Sequence, residues 1–228
     1  MRPLPVQVAV IAKSPVAGRV KTRLCPALTP AQAAGVARAS LMDTLDTVME
    51  ADVALRTVVL DGEPEDWLPS KMELIAQRDG PLGDRLSGAI EDLFARLALP
   101  VLVIGMDTPQ LRTAHLEGAA KALLAPGTDT VLGPAEDGGY WLIGTRRPVV
   151  SMFSGVEMST ARTGRQQLSR LRALGLHCAR LGRLRDVDLL SDALAVARDV
   201  PGSRFAAAID ELVTSPPRSR RLESVVGE

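Results

Sequence analysis

Lys13, Arg19, Lys21 and Arg23 fall within eleven residues that contain no acid, directly after the apolar run Val6–Ala12. Four cations this close repel one another unless an anion lies among them, and Gly18 in their midst lets the backbone turn tightly beside such a group. Elsewhere the polar chemistry is acidic. Asp84 stands in "GPLGDR", Asp107 in "GMDTP", Glu136 and Asp137 in "GPAEDGG", and Asp186 and Asp188 in "RLRDVDLL". Carboxylates brought together need a cation, and without a Cys/His cluster the oxygen donors suit a hard one, Mg2+ or Mn2+. Phosphates of a nucleoside diphosphate or triphosphate would fit between the basic loop and such an ion.

These residues can meet only if the fold gathers them. Strand-length apolar runs recur at Val6–Ala12, Val53–Leu60, Met72–Ala76, Val101–Ile104, Thr130–Leu132 and Tyr140–Ile143. Several lack alternation, as expected of strands covered on both faces in a mostly parallel sheet. Between them lie helical patterns. Thr29–Gln32 reads as a capping box with proline at the first helical position, followed by Ala34, Ala37, Leu41, Leu45 and Val48. Leu86, Ile90, Leu93, Phe94 and Leu97 mark a second helix, and weaker ones are expected at Ala114–Leu124, Ala161–Leu174, Asp192–Asp199 and Arg204–Val213, the last capped by Ser203.

Alternating strands and helices predict one α/β domain over residues 1–214 with a mostly parallel sheet flanked by helices. The Pro- and Arg-rich segment 215–228 is expected to be a disordered tail. In open parallel sheets, ligands bind at the carboxyl ends of the strands. The basic loop, Gln77–Arg85, Gly105–Pro109 and Gly133–Gly139 all follow apolar runs, so they share that edge, whereas the other edge has plain linkers such as "LALP" and "APGTD".

Composition narrows the class of partner. With 27 basic and 27 acidic residues in 228, no excess of positive charge favours nucleic acid. The N-terminal apolar run is too short to span a membrane. Cys25 and Cys178, far apart and without metal-ligand spacing, support neither a disulfide framework nor a zinc site, and a reducing cytoplasm is the expected location.

"KSPVAGRVKTRL", "GPLGDRL", "GMDTPQL", "GPAEDGGYWLIG" and "DVDLLSDA", in this order over roughly residues 6 to 200, resemble the bacterial glycosyltransferase-A-like proteins known as arsenosugar-biosynthesis glycosyltransferases or as a domain of unknown function. More remotely they are similar to guanylyltransferases for 2-phospho-lactate and the molybdenum cofactor. The resemblance implies a glycosyltransferase-A-type fold, a nucleotide or nucleotide-sugar ligand, and a divalent metal held by Asp107 with help from Asp186 and Asp188. Where those relatives tend to carry tryptophan, this chain has Met158.

Arg19, Lys21 and Arg23 are then expected to stabilise phosphates, with Lys13, Ser14, Gly18, Gln77, Gly83 and Asp84 as further nucleotide contacts. Glu136, Asp137, Gly138 and Gly139 would face the acceptor, either acid orienting it or acting as base. Asp84 and Asp107 also have the type of a helix cap, Gly138 and Gly139 that of a turn. The two-residue spacing puts Asp186 and Asp188 on one face of an extended segment, and Asp192 suits the first turn of the next helix. His115 and His177 read as structural and Cys178 as a buried thiol. Glycosyl transfer from a nucleotide-sugar to a small acceptor is the leading expectation. Nucleotidyl transfer with release of pyrophosphate and a non-catalytic nucleotide-binding module are the alternatives.

Overall fold

The computed structural model describes residues 2–25 and 27–214, so the expected tail at 215–228 lies outside the described residues. Strands β1 (Leu4–Lys13), β2 (Val53–Asp61), β3 (Glu73–Ala76), β4 (Val101–Gly105), β5 (Thr130–Pro134), β6 (Tyr140–Thr145) and β7 (Cys178–Arg180) form one sheet, ordered β3-β2-β1-β4-β6-β5-β7. Every pairing is parallel except those of β6 with β4 and β5. Only residues 135–139 separate β5 from β6, enough for a hairpin and too few for the crossover that a parallel pair needs. The expected runs all become strands. β7 is additional: three residues give no readable pattern, and it forms as the edge partner of β5.

Helices α1 (Pro30–Glu50), α2 (Leu82–Arg96), α3 (Thr113–Leu124), α4 (Thr163–Ala173), α5 (Leu190–Asp199) and α6 (Arg204–Thr214) complete the domain. The α1 capping box is formed, with Thr29 Oγ1 accepting from the Gln32 N–H at 3.3 Å and Gln32 Oε1 accepting from the Thr29 N–H at 2.9 Å. Ser203 Oγ accepts from the Ala206 N–H at 2.9 Å at the head of α6.

Alternate residues of the strands feed two cores, as the two-residue side-chain period requires. Val8, Val10, Leu102 and Leu142 pack with Leu41 and Leu45 of α1 and Leu116 and Leu123 of α3. Ala9, Val103, Leu132 and Ile143 pack with Ile90 and Leu93 of α2 and Leu171 of α4. A third cluster lies on the outer side of α1, where Ala33 and Val36 meet Leu24, Leu28, Val187, Val196, Phe205 and Ile209. It joins the end of the basic loop, the 186–188 segment and helices α5 and α6, so it fixes where the late acidic residues stand.

Phe205 is fully buried in this third cluster. Phe205→Ala should cost about 3–5 kcal/mol, and each kcal/mol lowers the melting temperature of a chain this size by roughly 2–4 °C. Calorimetry checks this: a loss below about 1 kcal/mol would contradict the packing of α6 on α1.

Candidate active site

The carboxyl ends of β1 and β4 open into a cleft with two compartments, which share Ile11, Leu82, Gly105 and Ser159 as walls. The outer one, about 370 Å³, is lined by Lys13, Arg19, Lys21, Gln77, Arg85 and Asp107 among others. The inner one, about 170 Å³, carries Asp137, Gly139, Tyr140, Trp141, Met158 and Asp186 on its walls. All four strand-end segments thus contribute to the cleft, and Asp186 of the late acidic segment joins them.

The four cations of the basic loop do not act alike. Gly18 turns the loop in left-handed backbone (φ 78°), and the Arg19 N–H is already donated to the Val16 carbonyl at 3.0 Å. Lys21, itself left-handed (φ 49°), turns its side chain inward until it is 5% exposed. There its Nζ meets Asp107 Oδ1 at 2.8 Å and donates to the Val187 carbonyl. Arg23 leaves the cleft and pairs with Asp188 at 2.6 Å. Lys13 and Arg19 stay at the outer compartment, 3.7 and 3.8 Å from the carboxylate of Asp61 at the end of β2.

Arg85 completes this group. Its Nη1 lies 3.6 Å from Asp61 and donates to Gln77 Oε1 at 3.0 Å, while its buried Nε has no partner among the described residues. Lys13, Arg19 and Arg85 therefore surround one carboxylate at loose distances, and a stronger anion would draw them away from it. Gln77 Nε2 donates to the Ala12 and Val59 carbonyls, so its amide holds β1, β2 and Arg85 in place.

The acidic residues also divide. Burial pushes the Asp186 carboxyl up to about 7, the charges of Asp107, Asp137 and Asp188 add to the rise, and Lys21 opposes it. Asp107 is no helix cap, because α3 begins only at Thr113. Glu136 faces away from both compartments and pairs with Arg185 at 2.7 Å. Asp137 Oδ1 accepts from the Gly139 N–H at 2.8 Å, which closes the β5–β6 turn. Gly138 (φ 92°) serves packing: a Cβ there would lie 2.1 Å from the Ala161 carbonyl oxygen, and its own carbonyl accepts from the Gly164 N–H at the start of α4. Asp192 Oδ2 accepts from the Leu189 N–H at 2.9 Å in the first turn of α5, as expected.

Among the described residues no three His, Cys, Asp or Glu side chains are grouped to hold a metal on their own. Mg2+ ordinarily takes one or two carboxylates and completes its shell with phosphate and water. Asp107 and Asp186 fit that pattern, being oxygen donors close enough to feel each other's charge. Asp188, whose charge Asp186 also feels, is paired through one carboxylate oxygen with Arg23, as Asp107 is with Lys21.

Several expected contacts lie elsewhere. Ser14 is buried and donates its hydroxyl to the Glu63 carbonyl. Gly83 packs on Phe153 and Met158. Asp84 is exposed in the first turn of α2 and makes no side-chain cap bond. His115 accepts from the Arg112 N–H at 3.1 Å and lies 6.0 Å from the Trp141 ring. His177 is exposed, its backbone N–H donated to Asp129 at 2.9 Å. Cys178 is half-buried rather than enclosed, although burial still pushes its thiol up. Asp61, Arg85, Tyr140 and Ser159 were not singled out in the sequence. Asp61 was within reach of the same reasoning, since it follows the apolar run of β2 as Asp107 follows that of β4.

Residues 41–160, more than half of the chain, match the family model DUF2064, described as an uncharacterized protein conserved in bacteria. The chain belongs to this family. No curated protein matches it in sequence. The DUF2064 chain is similar in structure to a candidate nucleotide-diphospho-sugar transferase from Desulfovibrio desulfuricans G20, at 25% identity and TM-score 0.83, over 92% of this chain and 96% of that one. A nucleotidyl transferase from Methanothermobacter shares the fold at 17% identity and TM-score 0.57, over 84% of this chain and 95% of that one. CMP:2-keto-3-deoxy-manno-octonic acid synthetase, solved with CTP, does so at 14% identity and TM-score 0.56, over 90% and 99%. The DUF2064 chain thus has the glycosyltransferase-A-type fold expected of it, shared with enzymes of both transfer chemistries.

Lys21 and Arg19 should separate in a stability measurement. Removing the enclosed Lys21 ammonium strands the half-buried Asp107 and leaves the Val187 carbonyl without its donor, so Lys21→Met should cost about 1–3 kcal/mol, whereas Arg19→Ala at the exposed rim should stay within about 0.5 kcal/mol. Equal melting temperatures would contradict the buried pairing.

The Asp186 proton supplies a pH signature. Because its folded pKa is raised, the folded state holds that proton between about pH 4 and 7, and the associated stability is lost as pH rises through about 7. In metal-free buffer Asp186→Asn should therefore gain stability over the parent as pH goes from 5 to 8. A constant difference across that range would contradict it.

Proposed function

We propose that the protein is a transferase that holds a nucleotide-sugar with its phosphates in the outer compartment and passes the sugar to a small acceptor in the inner one. The carrying observation is the cationic wall of Lys13, Arg19 and Arg85 beside Asp61, with the Arg85 Nε unpaired, in a compartment that opens directly onto Asp137 and Asp186. Phosphate oxygens would replace Asp61 as partners of the three cations and would satisfy that Nε.

Each neighbouring group has a part under this reading. Lys21 keeps Asp107 oriented and cancels part of the acidic repulsion. Asp107 and Asp186 would hold Mg2+ or Mn2+, which when bound neutralises charge developing on the departing phosphates. Asp137, on the inner wall, would orient the acceptor hydroxyl or accept its proton. Two of the four loop cations are engaged by Asp107 and Asp188. That leaves charge suited to a diphosphate, which favours sugar transfer over nucleotidyl transfer from a triphosphate.

The test combines binding and product analysis. With a nucleoside diphosphate and Mg2+ at about a hundredfold excess over Kd, stabilisation should reach roughly 2.7 kcal/mol, and nucleotide or metal alone should give less. Arg85→Ala should weaken nucleotide binding by about 1.5–3 kcal/mol, while Arg23→Ala, outside the compartment, should leave it unchanged. Release of nucleoside diphosphate from a nucleotide-sugar is the expected turnover. Pyrophosphate released from a triphosphate would replace this reading with nucleotidyl transfer, and binding without any turnover would reduce it to a binding module.

A further inference from the structure

The walls of the inner compartment divide by chemistry. Leu82, Leu86, Val103 and Ile143 make an apolar floor, and Asp137 and Asp186 are its charged members, with no lysine, arginine or histidine among the described residues that line it. Hydroxyl groups complete the set. Among the described residues the half-buried Tyr140 hydroxyl has only the Met158 sulfur, 3.7 Å away, as partner, and a thioether is a weak acceptor. Ser159, in left-handed backbone (φ 58°) at the junction of the two compartments, has an exposed side chain. A non-glycine residue held in that conformation is costly unless its surroundings demand it.

We propose that this compartment takes a hydroxyl-bearing acceptor that carries no phosphate or carboxylate, the Tyr140 hydroxyl donating to one of its oxygens and Asp137 accepting from one of its hydroxyls. The inference rests on the outer compartment being the nucleotide site. A phosphate or carboxylate would be pressed against Asp137 with no lysine, arginine or histidine on the described walls. An ion held by Asp107 and Asp186 would already be engaged by the nucleotide phosphates, so an anionic acceptor meets an uncompensated like charge. An uncharged polyol suits the mixture of apolar floor and hydroxyl donors and acceptors. An amino alcohol would add an attraction to Asp137.

The experiment uses the full chain loaded with whichever nucleoside diphosphate stabilises it most, with Mg2+. Matched sets are compared by ligand-observed NMR: glucose, glucosamine, glucose 6-phosphate and gluconate, then glycerol, serinol, glycerol 3-phosphate and glycerate. The uncharged or amine-bearing members should bind at least roughly tenfold more tightly than their anionic counterparts. Asp137→Asn keeps the oxygen that accepts from the Gly139 N–H and removes the charge, so it should narrow that gap several-fold. Tyr140→Phe should weaken the uncharged member several-fold without changing the nucleotide-induced shift. Equal affinities, preference for the anionic members, or no binding by any member would overturn the inference while a normal nucleotide shift leaves the transferase reading standing. Absence of the nucleotide shift itself would instead sink the reading on which it rests.

Discussion

The Lys21 ammonium is almost fully enclosed, and its partners come from distant parts of the chain: the Asp107 carboxylate after β4 and the Val187 carbonyl before α5. An ammonium out of water must find such partners or lose its charge. The basic loop, the end of β4 and the late acidic segment are therefore fixed together, and the two compartments exist because those three segments meet. Asp107 gains orientation from the same contact. Burial, and after it the charge of Asp107, push the carboxyl of Asp186 up.

Around that clamp the charge is divided between the two compartments rather than spread evenly. Cations not engaged by it gather with Arg85 on the outer compartment, while the inner compartment keeps acids, hydroxyls and apolar walls. Asp61 offsets the repulsion among the outer cations. Its contacts of 3.6 to 3.8 Å are long for ion pairs and partly exposed, so they are weak and exchangeable.

The third hydrophobic cluster is what allows the clamp to close. Val187 is fully buried between the end of the basic loop and helices α5 and α6. Its burial turns Asp186 toward the inner compartment, while Asp188 reaches Arg23 at 2.6 Å. Packing energy at the outer side of α1 is thus spent in holding carboxylates near one another that would otherwise separate.

The sequence by itself determined the strand and helix pattern, the sheet edge that carries the site and the segments that meet there, because periodicity, caps and turn residues are local properties. Thr29, Ser203 and Asp192 cap where their types and spacing required, and Lys13, Arg19, Lys21, Asp107 and Asp137 line the cleft. Tertiary structure alone decided which charge serves which partner. Four similar cations became two cleft-wall groups, one buried clamp and one partner for Asp188, because ion pairing depends on distances between segments that share no local sequence. Glu136 and Asp137 are adjacent, yet one faces Arg185 and the other the cleft, since the turn at Gly138 and Gly139 sends their side chains apart. Asp61 and Arg85 met only once β2 had paired with β1 and α2 had packed over β1 and β4, and that packing is the property no local pattern encodes.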